Sequence, residues 1–148
     1  MEISIRQIYG CTECVEIARE LKEWFTDRGI ERLSADVRAY ETYGAYLDGK
    51  LVGFVVVKLD GRLAEILWMA VRRGYQGRGI GTALLGFVER AAKSRGCSLI
   101  LVKTSGDPEY EPYIRTRRFY ERRGFVKALA IDEYPEWREP MALYVKCI

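Results

Sequence analysis

The chain has 148 residues, 49% hydrophobic and 30% charged, so it is long enough for one domain with its own core and too apolar to stay disordered. Its 24 Lys and Arg against 21 Asp and Glu leave a net charge of +3, too small by itself to argue for nucleic acid. The sequence contains no histidine, which excludes Ser-His-Asp and Cys-His mechanisms and any His-ligated metal site.

Residues 3–9 alternate apolar and polar side chains and read as a first strand. Thr12 is placed to cap a helix in which Ile17, Ala18, Leu21, Trp24 and Phe25 share one face. Gly29 is its expected stop, with a short helical piece over 32–38. Strands follow at 43–47 and 50–58, joined by the tight-hairpin pair Asp48-Gly49, and at 63–71 beyond Asp60-Gly61. Residues 79–95 carry a helical stripe of Ile80, Leu84, Phe87, Val88 and Ala91, stopped by Gly96. Residues 97–102 are nearly all apolar, as in a strand covered on both faces. A helix over 115–123 ends at Gly124, and strands at 125–131 and 141–147 follow. This element order demands at least one parallel pair with a right-handed crossover, hence a mixed α/β sheet with helices on its faces.

No apolar run approaches the ~18 residues of a membrane span. No basic segment followed by an apolar stretch opens the chain. The expectation is one domain over residues 1–148, cytoplasmic and without membrane attachment. Cys11-Thr-Glu-Cys14 has the spacing of a redox or zinc motif. Cys14, however, shares the stripe of Ile17, Ala18 and Leu21, and Cys97 opens an apolar strand. Both read as small buried hydrophobes, and no metal is expected.

The densest chemical signal is the glycine run of residues 71–82, between a strand and a helix. Unpaired N–H groups at the helix start, its dipole and the lack of side chains predict a cradle for phosphate or pyrophosphate. Arg72, Arg73 and Arg78 stand ready to charge its rim. Gly74 and Gly79 have the opening spacing of a Walker A loop, but Ile80 and Gly81 stand where Lys and Ser or Thr are required. The dinucleotide pattern G-x-G-x-x-G fails at Thr82 and at Leu84.

Gln76-Gly77-Arg78-Gly79-Ile80-Gly81 resembles the Q/R-x-x-G-x-G/A pyrophosphate motif of the GNAT superfamily of N-acetyltransferases. The likeness extends to the apolar strand of residues 64–71 before it and to Phe119-Tyr120-Glu121-Arg122-Arg123-Gly124-Phe125 some forty residues later. It implies a strongly twisted mixed sheet of six or seven strands with helices on both faces, and acetyl-CoA held where the central strands splay. Met69, Ala70 and Val71 would lie along the pantetheine arm, and the Met69 N–H would hold the forming oxyanion. The segment Gln76, Gly77, Arg78, Gly79, Ile80, Gly81 and Thr82 would hold the pyrophosphate. Tyr120 would serve the departing thiolate as general acid, and Glu65 would deprotonate the amine. Where the family often has Asn seven residues before the tyrosine, contacting the pantetheine, this chain departs from the pattern with Tyr113.

The activity so implied is acetyl transfer from acetyl-CoA to a primary amine, of a small molecule or a protein, through a tetrahedral intermediate. The acidic, aromatic stretch of residues 132–139 suits a cationic acceptor. Two rivals remain: a CoA-binding regulator without turnover, and a nucleic-acid module using Arg115, Arg117, Arg118, Arg122 and Arg123. Helical spacing scatters these arginines around the axis and disfavours the second. Edge strands are the candidates for pairing two copies into a homodimer.

Overall fold

The computed structural model describes residues 2–148. Seven strands form one mixed sheet: β1 (Ile3–Ile8), β2 (Glu41–Leu47), β3 (Lys50–Asp60), β4 (Leu63–Val71), β5 (Leu99–Ser105), β6 (Val126–Tyr134) and β7 (Glu139–Cys147). Their spatial order is β1-β2-β3-β4-β5-β7-β6, with every pairing antiparallel except β4 with β5. The helices are α1 (Thr12–Glu20), α2 (Asp27–Ala39), α3 (Ile80–Ser94) and α4 (Glu111–Arg122). Two apolar clusters show that both sheet faces are covered. Leu33 and Val37 of α2 join Ile17 and Ala18 of α1 against Phe54 and Val56. Leu84 and Val88 of α3 and Tyr120 of α4 pack against Val52, Val55 and Ile100. The interior strand β3 is accordingly buried without interruption from Leu51 to Val57.

Two features of β4 prepare the site. Its register against β3 steps from Val56↔Trp68 to Val57↔Ile66, leaving Leu67 as the extra residue of a β-bulge. The bulge reverses the alternation: Ala64 and Ile66 pack in the α3 cluster, whereas Leu67 and Trp68 both pack in the α1–α2 cluster. Beyond it, β4 leaves its parallel neighbour. Pairing with β5 runs only from Leu63↔Leu99 to Ile66↔Val102, and both strands continue unpaired with each other, to Val71 and Ser105.

Three expectations need correction. The first helix does not run to Gly29 and is not capped by Thr12. Cys11 is its N-cap, with Sγ accepting the Cys14 N–H at 3.2 Å, and it ends at Glu20. The reason is a division of labour between adjacent aromatics. Phe25 enters the core and stacks on Trp68 at 5.7 Å, while the Trp24 indole donates to Pro112 O and Thr116 Oγ1, both at 3.2 Å. Thr26 then caps α2 by accepting the Gly29 N–H at 3.0 Å, so Gly29 lies inside that helix's first turn. The helix expected from residue 115 begins instead at Glu111, because Pro112 falls in the first turn, where a missing N–H costs nothing. The strand expected over 97–102 starts later and runs to Ser105.

Candidate active site

The divergence of β4 and β5 opens a cleft of about 1070 Å³ through the middle of the molecule. Which main-chain groups face it follows from register. The Arg72 N–H donates to Val52 O at 2.8 Å, so Arg72, Ala70 and Trp68 address β3. Met69 and Val71, one residue out of phase, turn their main-chain groups toward the opening. The Val71 carbonyl accepts from Gln76 Nε2 at 3.0 Å, which folds the glycine loop back onto the strand end.

The loop delivers its donors next. Gly74, Gly77 and Gly79 have φ of 91°, 75° and 83°, a region that L side chains seldom enter. Gly79 is the N-cap of α3, without any side-chain cap, and the Ala83 N–H makes the helix's first bond, to Gly79 O at 3.0 Å. Between Tyr75 and Ala83 no backbone N–H has a protein partner among the described residues. A run of unpaired donors at a helix N-terminus fits an anionic group. One guanidinium is fixed beside it. Arg123 lies 3.8 Å from the Phe119 ring centre and donates to Thr82 Oγ1 through Nε at 2.8 Å. Gly81 permits this arrangement, since a Cβ there would stand 3.1 Å from the Phe119 ring.

Tyr120 sits deeper, 4% exposed, with edge-on contacts to Phe119 and Phe125 at 5.2 Å each. Its side chain lines the cleft, and its hydroxyl is not among the buried unpaired polar atoms. Burial pushes the phenol well above its ordinary pKa, so it carries its proton throughout the neutral range. Nearby, Thr104 Oγ1 is buried and unpaired.

The opposite half of the cleft belongs to the α2 face. Glu65 Oε2 lies 3.6 Å from Lys103 Nζ, and Lys103 stands 5.7 Å from the Tyr134 ring centre. Glu136, on the turn between β6 and β7, pairs with Arg32 at 3.6 Å. The connection between α1 and α2 is tied to α4 across this half: Tyr113 Oη donates to Trp24 O at 2.8 Å and Tyr110 Oη to Glu23 O at 2.6 Å.

The sequence pattern of the Acetyltransferase (GNAT) family matches residues 15–125. The chain belongs to the GNAT acetyltransferase family. An uncharacterized N-acetyltransferase of Methanocaldococcus jannaschii is 30% identical over 105 residues, covering 70% of this chain and 64% of that protein. The chain therefore spans somewhat less than two thirds of that relative's length. Among solved structures, a GNAT acetyltransferase of Desulfovibrio desulfuricans superposes with a TM-score of 0.80 at 24% identity, over 97% of this chain and 98% of its own. Another, from Elizabethkingia anophelis with acetyl-CoA bound, gives 0.78 at 18% identity over 99% and 98%. Likeness at these identities shows the fold.

The residues expected for a GNAT site are thus brought to one cleft, with exceptions. Met69, Ala70, Val71, Gln76, Gly77, Gly79, Ile80, Gly81, Thr82, Tyr120 and Glu65 line it, although the Ala70 peptide is turned to β3; Arg78 is not part of the lining. Two rim arginines are elsewhere. Arg72 pairs with Glu13 and Glu20 of α1 at 3.2 and 3.4 Å, and Arg73 with Glu23 just beyond it at 2.7 Å, so the two brace α1 and its exit against the loop. Arg78 stays at the loop, over the Tyr75 ring at 5.2 Å. Three of the five arginines considered for a nucleic-acid face are occupied within the protein: Arg117 donates to Ser105 O and Asp107 O, Arg115 lies over Trp24, and Arg123 is held at Thr82. Lys103, Trp24 and Thr104 were not legible as site residues: the first and last fall just beyond the strand expected over 97–102, and a helical stripe hides the second.

Proposed function

We propose that the chain moves the acetyl group of acetyl-CoA to a primary amine by direct attack through a tetrahedral intermediate. The observation that carries this reading is the row of unpartnered N–H groups at the start of α3, opening onto the gap where β4 and β5 part. A diphosphate held there would lay its pantetheine arm along β4, where Met69 and Val71 offer main-chain groups in the manner of a missing strand. The fold neighbour from Elizabethkingia anophelis holds acetyl-CoA and the curated relative is named an N-acetyltransferase, which supports the same reading.

Each residue then has a task. The amides of Gln76, Gly77, Arg78, Gly79, Ile80, Gly81 and Thr82 take the diphosphate, with Arg123 adding positive charge. The Met69 N–H stabilises the oxyanion as the carbonyl carbon becomes tetrahedral. Tyr120 hands its proton to the thiolate as the C–S bond breaks, and its raised pKa ensures that the proton is present. Glu65 accepts the proton of the attacking amine. It lies four positions before Met69 on a strand bulged at Leu67, and it works through water. Residues 1–148 would act as one domain in the cytoplasm. Among the described residues no helix is long and apolar enough to cross a membrane.

The test is a thiol-release screen with acetyl-CoA over amines, peptides and aminoglycosides. Thiol appearing only in the presence of an amine, with the acetylated amine recovered by mass, is the expected result. Acetyl-CoA binding without turnover on any acceptor would leave a CoA-binding regulator in its place.

A further inference from the structure

We propose that Lys103 selects acceptors carrying an anionic group a few bonds from the amine, so that the substrate class is amino acids and similar zwitterions rather than polyamines. The inference rests on the acetyl-transfer reading and concerns the acceptor half of the same cleft.

Lys103 is the first β5 residue past the last β4–β5 pair, Ile66↔Val102, so it stands at the apex of the opening. Its side chain is 34% exposed and that of Glu65 24%, and the pair lies at 3.6 Å. Burial opposes its charge, yet the Tyr134 hydroxyl and the Glu65 and Glu136 carboxylates outweigh burial and hold the lysine above its ordinary pKa. A fixed ammonium ion therefore stands beside the residue proposed to receive the substrate's ammonium group.

That placement is costly for a cationic substrate. An alkylamine approaching Glu65 meets the like charge of Lys103 at nearly the same distance. Within the acidic stretch of residues 132–139, Glu136 is already paired with Arg32. Asp36 of α2 accepts the Trp68 indole N–H at 2.8 Å, which fixes its position and leaves its charge in place. Glu139, at the mouth, is the carboxylate there without a partner among the described residues. On the cationic side, Lys58 stands over the Tyr40 ring at 5.9 Å and has no carboxylate partner among the described residues. A zwitterion reverses the sign of the problem: its amine faces Glu65 while its carboxylate faces Lys103. A partly buried ion pair contributes little stability of its own, so fold maintenance is a weak reason for this lysine.

The experiment compares kcat/KM for primary alkylamines with the same amines bearing a carboxylate a few carbons away, whose amine pKa values are nearly matched. The carboxylate member of each pair should be preferred by about tenfold or more, the usual effect of one charged hydrogen bond. Lys103→Met should collapse that ratio by a similar factor, and Lys103→Arg should restore part of it. A lysine that only supports the fold would lower both members together, leaving the ratio unchanged, and that result overturns the proposal. So does a wild-type enzyme that prefers the plain amines, which decides the matter even if Lys103→Met does not fold. Turnover of amines regardless of carboxylate sinks this inference alone. No thiol release with any amine sinks the acetyl-transfer reading together with it.

Discussion

Tyr120 concentrates the residue-scale argument. Its side chain is 4% exposed and lines the cleft beside the glycine loop. Tyr120→Phe removes only the hydroxyl and keeps the edge-on packing with Phe119 and Phe125. Turnover should fall by about 10²-fold or more, the usual worth of a positioned acid, while calorimetry records unchanged acetyl-CoA affinity. Undiminished turnover would remove Tyr120 from the chemistry. Cys11 offers a second residue-scale check. Its thiol is brought down to about 7, first by the adjacent Cys14 thiol and also by the Cys14 N–H, against the opposing effect of burial. Cys14, 0% exposed, is pushed up by the same contact and by burial. Alkylation mapped by mass spectrometry should therefore label Cys11 at neutral pH and spare Cys14 in the folded chain. Equal labelling would contradict this assignment.

At the scale of elements, the glycine loop separates conformational from steric need. A Cβ at Gly79 would meet nothing within 4 Å, but φ is 83° there. Gly79→Ala should cost about 1–2 kcal/mol of unfolding free energy in a denaturant melt, the price of a left-handed backbone for an L residue. Gly81 has the reverse problem, since its Cβ would press on Phe119 and through it on Arg123. The brace between α1 and the loop predicts an acid dependence. Hydrogen bonds from Arg73 chiefly hold Glu23 down, to about 2. A depressed carboxylate stabilises the fold fully above its unfolded value and loses that contribution as pH falls through the folded one. The stability difference between wild type and Arg73→Ala should therefore be present above pH 4.5 and vanish toward about 2, as chemical unfolding across pH would show. Being exposed, the pair should also weaken with salt. The elements themselves were legible where local chemistry fixes them. Asp48-Gly49 takes φ of 50° and 78°, as a tight hairpin requires, and the strand of residues 63–71 has the expected bounds. The break after Glu20 was not, because Trp24 and Phe25 both satisfy helical spacing and only their distant partners pull them apart. The rim arginines misled for the same reason: their glutamates lie about fifty residues earlier in the chain.

For the whole molecule, the decisive feature is a sheet that fails to close. A bulge at Leu67 and the parting of β4 from β5 after Ile66↔Val102 leave main-chain donors that no strand satisfies. Residue patterns announced the glycine loop, and the resemblance to GNAT sequences implied Tyr120 and the gap between them. The acceptor half stayed obscure, since Lys103 looks like an ordinary polar interruption until the fold sets it against Glu65. The edge strand β6 is exposed along most of its length, including Val126 at 66%. Titration calorimetry of acetyl-CoA into the intact chain tests the central claim most directly. Saturable binding at one molecule per chain is predicted, weakened at least about tenfold when Gly79→Val displaces the loop amides from the diphosphate. A folded wild-type protein that takes up neither acetyl-CoA nor CoA would contradict the account.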